Sequence, residues 1–373
     1  MHTPPTRLLS FALVVSAIAA TSIGAQSPEV KPLRIAIAGL NHGHVSGFLS
    51  SAQRRAADVV VVAVWDPDAE LLAKYARANH FAADQVYTDL DKMLDARKPE
   101  AVATFTDTYS HARVVEACAP RHIPVMMEKP LAVDMQQARA ILQASQRYNT
   151  PVMVNYETTW YRSHGEMWTL LHEQKAAGEI RKMVAMDGHQ GPKEIGVEPE
   201  FFAWLSDPVK NGAGALFDFG CYGANLITWM MDNQRPLKVT ALTQTDKPDI
   251  YARVDDEATV VLEYPKAQGI IQASWNWPVS RKDFEVYGAK GYAIATGGDS
   301  LRVRLPGARA EQTRTPPDLK PQEADSISYL IGVARGKFKP SGLSSLENNV
   351  IVIEILDAAR ESARTGRTIT LAR

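Results

Sequence analysis

Between residues 33 and 155, short apolar runs alternate with stretches of helical periodicity. The runs at 33–38, 59–64, 101–105, 124–127 and 151–154 are rich in Val, Ile and Ala and predict strands. Between them, 69–79, 90–96, 112–119 and 135–148 predict helices. The last of these is opened by Asp134, with Gln137 three residues on, the spacing of an N-cap and its partner. Strands that are apolar almost throughout have no face to show to water, so they belong in a parallel sheet covered on both sides. This half is expected to be a doubly wound α/β domain.

After Asn155 the rhythm changes. Residues 166–177 predict a helix, 182–187 a strand, and 212–231 a segment that begins in glycines and becomes helical. Short strands follow at 239–244, 258–264, 269–275, 284–287, 292–295 and 301–305, joined by Gly, Pro and Asp turns that suit a mostly antiparallel sheet. Residues 306–323 read as a surface loop, and 326–335 and 346–365 as closing helices. The expected organisation is therefore α/β throughout. A nucleotide-binding type of domain occupies 33–155, and a second α/β domain with an open sheet occupies 156–373. Residues 1–25 stand apart: Arg7, an apolar run at 8–20 and small residues ending at Ala25 have the form of a secretory signal peptide cut after Ala25. Its apolar run of about 13 residues is short of the roughly 20 that span a bilayer. The expected location is periplasmic or secreted.

Composition narrows the partners. A chain of 373 residues exceeds one ordinary core, and 45% hydrophobic with 22% charged residues describes a globular protein. With 41 basic against 42 acidic residues, the formal net charge of -1 leaves no electrostatic footprint for nucleic acid. Cys118 and Cys221 are too few for a disulfide framework and read as two buried thiols. His42 and His44 flank Gly43 without a third ligand in view, so no metal is expected.

The first strand runs into Gly39, Leu40, Asn41, His42, Gly43 and His44. A dinucleotide turn needs glycines here, so that backbone N–H groups can approach a pyrophosphate at a helix N-terminus. Gly39 fits the first position of G-x-G-x-x-G, whereas Asn41 and His44 occupy the second and third. Gly43 is placed to take over the close approach, and either imidazole could donate to a phosphate. Asp66, ending the second strand, can accept from both ribose hydroxyls and repels a 2′-phosphate, which favours NAD over NADP. The competing reading is that Asp66, Pro67 and Asp68 only cap the next helix.

Glu128, Lys129, Pro130, Leu131 and Ala132 follow the fourth strand, and this run resembles the Glu-Lys-Pro signature of the glucose–fructose oxidoreductase, inositol 2-dehydrogenase and MocA family. The segment from Thr106 to His111 is similar to that family's loop along the nicotinamide half, with Asp107 and Thr108 in place of its usual Pro and Asn. Gly212 to Leu216 with Asp218 and Tyr222, Asp256 with Glu257, Tyr287 to Gly291 and the ending around Arg360 and Arg367 resemble further landmarks in the right order. The resemblance implies a Rossmann domain, an open C-terminal sheet on which homo-oligomers are built, and a sugar or polyol held between domains above the nicotinamide. It places Thr106, His111, Glu128 and Lys129 at the cofactor.

Oxidation of a secondary alcohol needs a base or proton relay at the hydroxyl oxygen. Lys129 is expected to be that group, made less basic by desolvation and by a bound cationic ring. Many relatives carry a histidine where this chain has Tyr222, so it resembles the tyrosine-bearing subgroup. Tyr222, acidified by the nearby ammonium, is expected to share the relay with Lys129. Asp218, four residues away on the same helical face, is expected to bind substrate hydroxyls. Asn155, Tyr156, Trp160 and His189, with Tyr161 and His164, are candidates to line the sugar site. The function expected is hydride transfer between NAD and a sugar or polyol, with the cofactor retained because free NAD is scarce outside the cytoplasm. Two other readings stay open: a redox-neutral glycosidase or lyase passing through a transient keto-sugar, and a non-catalytic sugar- or nucleotide-binding relative.

Overall fold

The computed structural model describes residues 1–2 and 31–371; the expected signal peptide lies, but for its first two residues, outside them. Six parallel strands form the first sheet: β1 (Leu33–Ala38), β2 (Val59–Trp65), β3 (Val86–Tyr87), β4 (Ala101–Thr104), β5 (Val125–Glu128) and β6 (Val152–Asn155), in the order β3-β2-β1-β4-β5-β6. The order reverses between β1 and β4, and at such a switch point the loops leaving the two strands part and open a crevice. The helices between these strands are α1 (His44–Arg54), α2 (Ala69–Asn79), α3 (Leu90–Arg97), α4 (His111–Cys118) and α5 (Met135–Tyr148). Asp68, Asp89 and Asp134 cap α2, α3 and α5 by accepting N–H groups of the first turn. The Asp134 cap accepts from Gln137 N, as the spacing predicts.

Past β6 come α6 (Arg162–Trp168), β7 (Ile180–Gly188), α7 (Pro199–Leu205), α8 (Pro208–Asn211), α9 (Ala215–Asp218) and α10 (Gly220–Met230). The predicted helix at 166–177 begins earlier and widens into a π-helical turn at Thr169–Glu173. Then follow β8 (Lys238–Gln244), β9 (Glu257–Glu263), β10 (Gln268–Ser274), β11 (Arg281–Gly288), β12 (Tyr292–Thr296), β13 (Leu301–Arg304), β14 (Gln312–Arg314), α11 (Ser326–Ala334), α12 (Leu346–Thr365) and β15 (Ile369–Thr370). The second sheet has the order β14-β13-β12-β11-β7-β10-β9-β8-β15, antiparallel except where β10 runs parallel to β7. Its strand β14 lies inside the stretch expected to be loop.

Two cores hold these layers. One joins α3, α4 and α5 on one face of the first sheet to α10, α12 and the second sheet. The other covers the opposite face with Val45, Phe48, Leu49, Leu72 and Tyr75 of α1 and α2, and with Ile327, Tyr329, Leu330 and Val333 of α11. The chain thus returns late to finish its first layer, and Arg55 Nη1 fastens the returning segment to Asp325 Oδ1 at 2.8 Å. Cys118 and Cys221 are buried free thiols, both pushed up to about 12 by burial. Leu330 is 0% exposed, so Leu330→Ala should lower the stability of the first layer by about 2–4 kcal/mol. Urea unfolding followed by tryptophan fluorescence and circular dichroism checks this.

Candidate active site

The turn leaving β1 is shaped by what it must avoid. Gly39 has φ +87°, and a Cβ there would lie 2.4 Å from Thr106 Cγ2 at the end of β4. Asp66 crosses beneath the turn: its carboxylate accepts Leu40 N at 2.8 Å and Asp68 N at 2.9 Å. Its backbone-pinning role therefore stands beside the expected ribose contact, and burial raises its pKa above the ordinary carboxylate value. His42 N donates to Phe105 O at 3.1 Å, and Gly43 opens α1 without a side-chain cap. Helix α7 lies across this turn. Trp204 Nε1 donates to Asn41 O at 3.0 Å, the Phe201 ring stands 4.5 Å from that of His42, and Lys74 holds Glu200 at 2.6 Å.

Several buried polar atoms at this edge have no partner among the described residues: Asn41 Oδ1, His42 Nε2, Trp65 Nε1, Thr108 Oγ1 and His111 Nε2. Their chemistry differs. His42 Nδ1 accepts His44 N at 3.2 Å, so Nε2 carries the proton and is a donor. His111 Nδ1 faces Leu131 O at 3.3 Å, so its Nε2 is an acceptor. Burial lowers the pKa of both imidazoles and keeps them neutral. His42, His44 and Glu128 bring candidate metal-ligating atoms within 4.8 Å of one another, the third group that the sequence did not reveal. Here they bond among themselves, with His44 Nδ1 donating to Glu128 Oε2 at 3.0 Å. Glu128 also accepts from Asn155 Nδ2 at 2.8 Å, and Asn155 Oδ1 accepts from Trp160 Nε1 at 2.9 Å. Burial works to raise the Glu128 pKa, but His44, Asn155 and Lys129 together hold it below the ordinary value.

Lys129 leaves the carboxyl edge of β5 and meets Asp218 from the second half of the chain. Its Nζ donates to Asp218 Oδ1 and, at 3.0 Å, to Asp218 O. Trp275 Nε1 donates to Asp218 Oδ2 at 2.9 Å, so both carboxylate oxygens are used. Burial works against both charges, but each stabilises the other: the Lys129 pKa is raised and that of Asp218 lowered. The expected drop in lysine basicity is thus reversed in this structure, because an anion sits at bonding distance. The Tyr222 ring stands beside two ammoniums, with Lys129 Nζ at 5.2 Å and Lys282 Nζ at 4.6 Å from the centroid. Burial raises its pKa well above the ordinary phenol value, against the expected acidification. Asp218 and Tyr222 also lie on two helices, not one face of a single helix. The one-turn α9 is pinned by Asp255, whose carboxylate accepts Gly214 N and Leu216 N at 2.9 and 2.7 Å, and the helix breaks at Phe219.

The cleft around this pair has three arms. About 280 Å³ lies between Lys129, Asp218, Tyr222, His189 and the underside of α7. Lys282, His189 and Phe219 are shared with an arm of about 470 Å³ reaching Tyr161 and Thr296. Gly43 and His44 are shared with an arm of about 680 Å³ along α1, lined by Phe105, Glu128, Asn155 and Trp160. Tyr156 is buried behind Tyr222, and His164 is buried with Nδ1 facing Thr158 O. Neither is among the residues lining these arms.

Two family descriptions match this chain. Residues 33–156 match the "Oxidoreductase family, NAD-binding Rossmann fold", and residues 166–294 match the "GFO/IDH/MocA C-terminal domain". The chain belongs to the GFO/IDH/MocA family. Among curated relatives, a trans-1,2-dihydrobenzene-1,2-diol dehydrogenase of Xenopus laevis is 27% identical over 82% of this chain and 90% of its own length. A D-apiose dehydrogenase of Paraburkholderia graminis is 24% identical over 94% of this chain and 92% of its own. Two solved structures share the fold: an aldose-aldose oxidoreductase from Caulobacter crescentus complexed with glycerol (TM-score 0.76, 22% identity, 91% of this chain and 100% of that one), and an inositol dehydrogenase homolog complexed with NAD+ from Azotobacter vinelandii (0.78, 18%, 92% and 98%).

The first sheet of this GFO/IDH/MocA protein is accordingly an NAD-binding Rossmann fold. The residues at its edge fit that cofactor in their chemistry: a pinned glycine turn, an open helix N-terminus, and the unpaired donors and acceptors of Asn41, His42, Thr108 and His111. The family landmarks did not point to Lys282, Glu157, Trp275 or the cover formed by α7. One buried acid is also conspicuous. Asp187 on β7 is 0% exposed, neither carboxyl oxygen has a hydrogen-bond partner among the described residues, and burial raises its pKa well above the ordinary value. A raised folded-state pKa gives stability that is present in acid and lost as pH climbs from the ordinary carboxylate range towards the folded value. Asp187→Asn should therefore gain stability over wild type by about 1.4 kcal/mol per pH unit across that window, and nothing below it. Thermal melts from acid to alkaline pH check the trend.

Proposed function

We propose that this protein oxidises a secondary hydroxyl of a sugar or polyol, with NAD as the hydride acceptor. The observation that carries this reading is the buried Lys129–Asp218 pair at the carboxyl edge of the Rossmann sheet, opening into a cleft that also holds His189 and Tyr222. Bound NAD supplies a hydride acceptor. Asn41, His42, Thr108 and His111 are the residues whose free polar atoms would hold it, and Asp66 would meet its ribose. A substrate hydroxyl at Lys129 receives a hydrogen bond from the ammonium, which stabilises the alkoxide character that grows as hydride leaves. Lys129 first passes a proton to Asp218 Oδ1; its amine lone pair then takes the hydroxyl proton, and the re-formed ammonium faces the oxygen as hydride leaves. The Tyr222 ring fixes where the ammonium sits, and Trp275 keeps Asp218 oriented.

Export belongs with this reading. The signal-like residues 1–25 put the mature protein outside the cytoplasm, and α7 lying over the turn suits a cofactor that stays bound between turnovers. Among the described residues, no helix is long and apolar enough to cross a membrane. The outer face of the second sheet exposes Leu242 and Val261, where copies of the chain would pair. The branched cleft also favours a second reading, in which a glycoside is oxidised transiently, cleaved and reduced again by the same retained cofactor.

Denaturing the purified mature protein should release NAD, and a sugar panel followed at the nicotinamide absorbance should separate net oxidation from redox-neutral cleavage. Lys129→Ala should keep its NAD but lose about 10²–10⁴-fold in kcat; unchanged turnover overturns the role of Lys129. Trp204→Ala, which removes the bond to Asn41 O, should speed exchange of bound for labelled NAD by about tenfold or more. An unchanged exchange rate would show that α7 does not retain the cofactor.

A further inference from the structure

The cations around the reacting end of the cleft come already matched. Lys129 is bonded to Asp218 and Lys282 to Glu157. Glu198 adds another carboxylate to the lining. Lys282 reaches two arms: it rises from β11, opposite Asp187 in register, and its ammonium stands 4.6 Å from the centroid of the Tyr222 ring. Asp187 beneath it has no hydrogen bond among the described residues, and Glu157, from the loop after β6, is the carboxylate bonded to Lys282. Glu157 is in turn held by Tyr161, whose hydroxyl donates to Oε1 at 2.7 Å.

This lining discriminates by charge. A sugar hydroxyl both donates and accepts, so it can bridge an existing ammonium–carboxylate pair without separating it. At this end of the cleft a substrate carboxylate meets only ammoniums already bonded to Asp218 or Glu157 and must displace one of these or lie against them; Arg54, bonded to the hydroxyls of Ser50 and Ser51, lies away in the arm along α1. We infer that the substrate is an uncharged polyhydroxylated molecule, and that the Lys282–Glu157 pair is the element that selects it against the corresponding sugar acid. The inference rests on the reading of this cleft as a sugar site, but not on any turnover there.

Equilibrium dialysis tests it, because it counts bound ligand whether or not that ligand is oxidised. The full-length mature protein with its cofactor would be dialysed against labelled aldoses and polyols, each paired with its aldonate or uronate. The neutral member of the best-bound pair should bind at least about tenfold more tightly than the acid. Glu157→Gln, which leaves the Lys282 ammonium unbalanced, should move that ratio about tenfold or more towards the acid. Lys282→Met should weaken the neutral ligand and, combined with Glu157→Gln, remove the gain for the acid. A wild-type preference for acids, a ratio unmoved by Glu157→Gln, or no binding across the panel would overturn the inference. If the ratios behave as expected while no hydride reaches NAD, the substrate class stands and the oxidoreductase reading falls.

Discussion

The buried ion pair between Lys129 and Asp218 is the constraint on which the rest of the structure depends. Two opposite charges withdrawn from water are a liability unless every remaining lone pair and N–H is occupied. Here the lysine comes from the first sheet and the aspartate from a one-turn helix under the second, so the pair exists only if both layers are in register. Trp275 on the segment after β10 satisfies the second carboxylate oxygen, and the Asp255 carboxylate pins the short helix by accepting the N–H groups of Gly214 and Leu216. The close approach of Gly214 to Asp255, whose carbonyl oxygen would lie 1.8 Å from a Cβ, shows how little latitude that arrangement has. The chemistry and the joining of the two halves are thus one requirement.

Much of the architecture was legible because it rests on local rules. The apolar strands of the first half, the Asp134 cap and the alternating strands of the second half are dictated by period and burial, and the structure places them within three residues of expectation. The family was legible in Glu128, Lys129 and Pro130 with their distant companions. Helix α1 was less so. Ser46, Gly47, Ser50 and Ser51 are weak helix formers, and it is tertiary burial of Val45, Phe48, Leu49 and Ala52 that holds it.

The site was legible in its membership more than in its electrostatics. Lys129, Asp218, Tyr222 and His189 do converge, but the direction of each pKa shift depends on which charge lies at bonding distance, and sequence spacing carries no such information. A lysine near a cationic ring loses basicity, whereas one bonded to a carboxylate gains it. Lys282 and Glu157 are 125 residues apart, and nothing in the sequence joins them. Helix α7 was silent for a similar reason: the apolar residues Phe201, Trp204 and Leu205 suit any small core, and only the fold shows them seated on a glycine turn.

The late return of α11 has a consequence for how the protein comes into being. One face of the first sheet stays uncovered between β4 and β6 until Ile327, Leu330 and Val333 have been added. A ribosome emitting the chain from its N-terminus must therefore add about 170 residues beyond β6 before the first layer can close. The two halves are not beads that fold in turn. The nascent chain holds an exposed apolar sheet face while those residues are made, a condition that invites chaperone binding and keeps the polypeptide in a form that can still be threaded elsewhere.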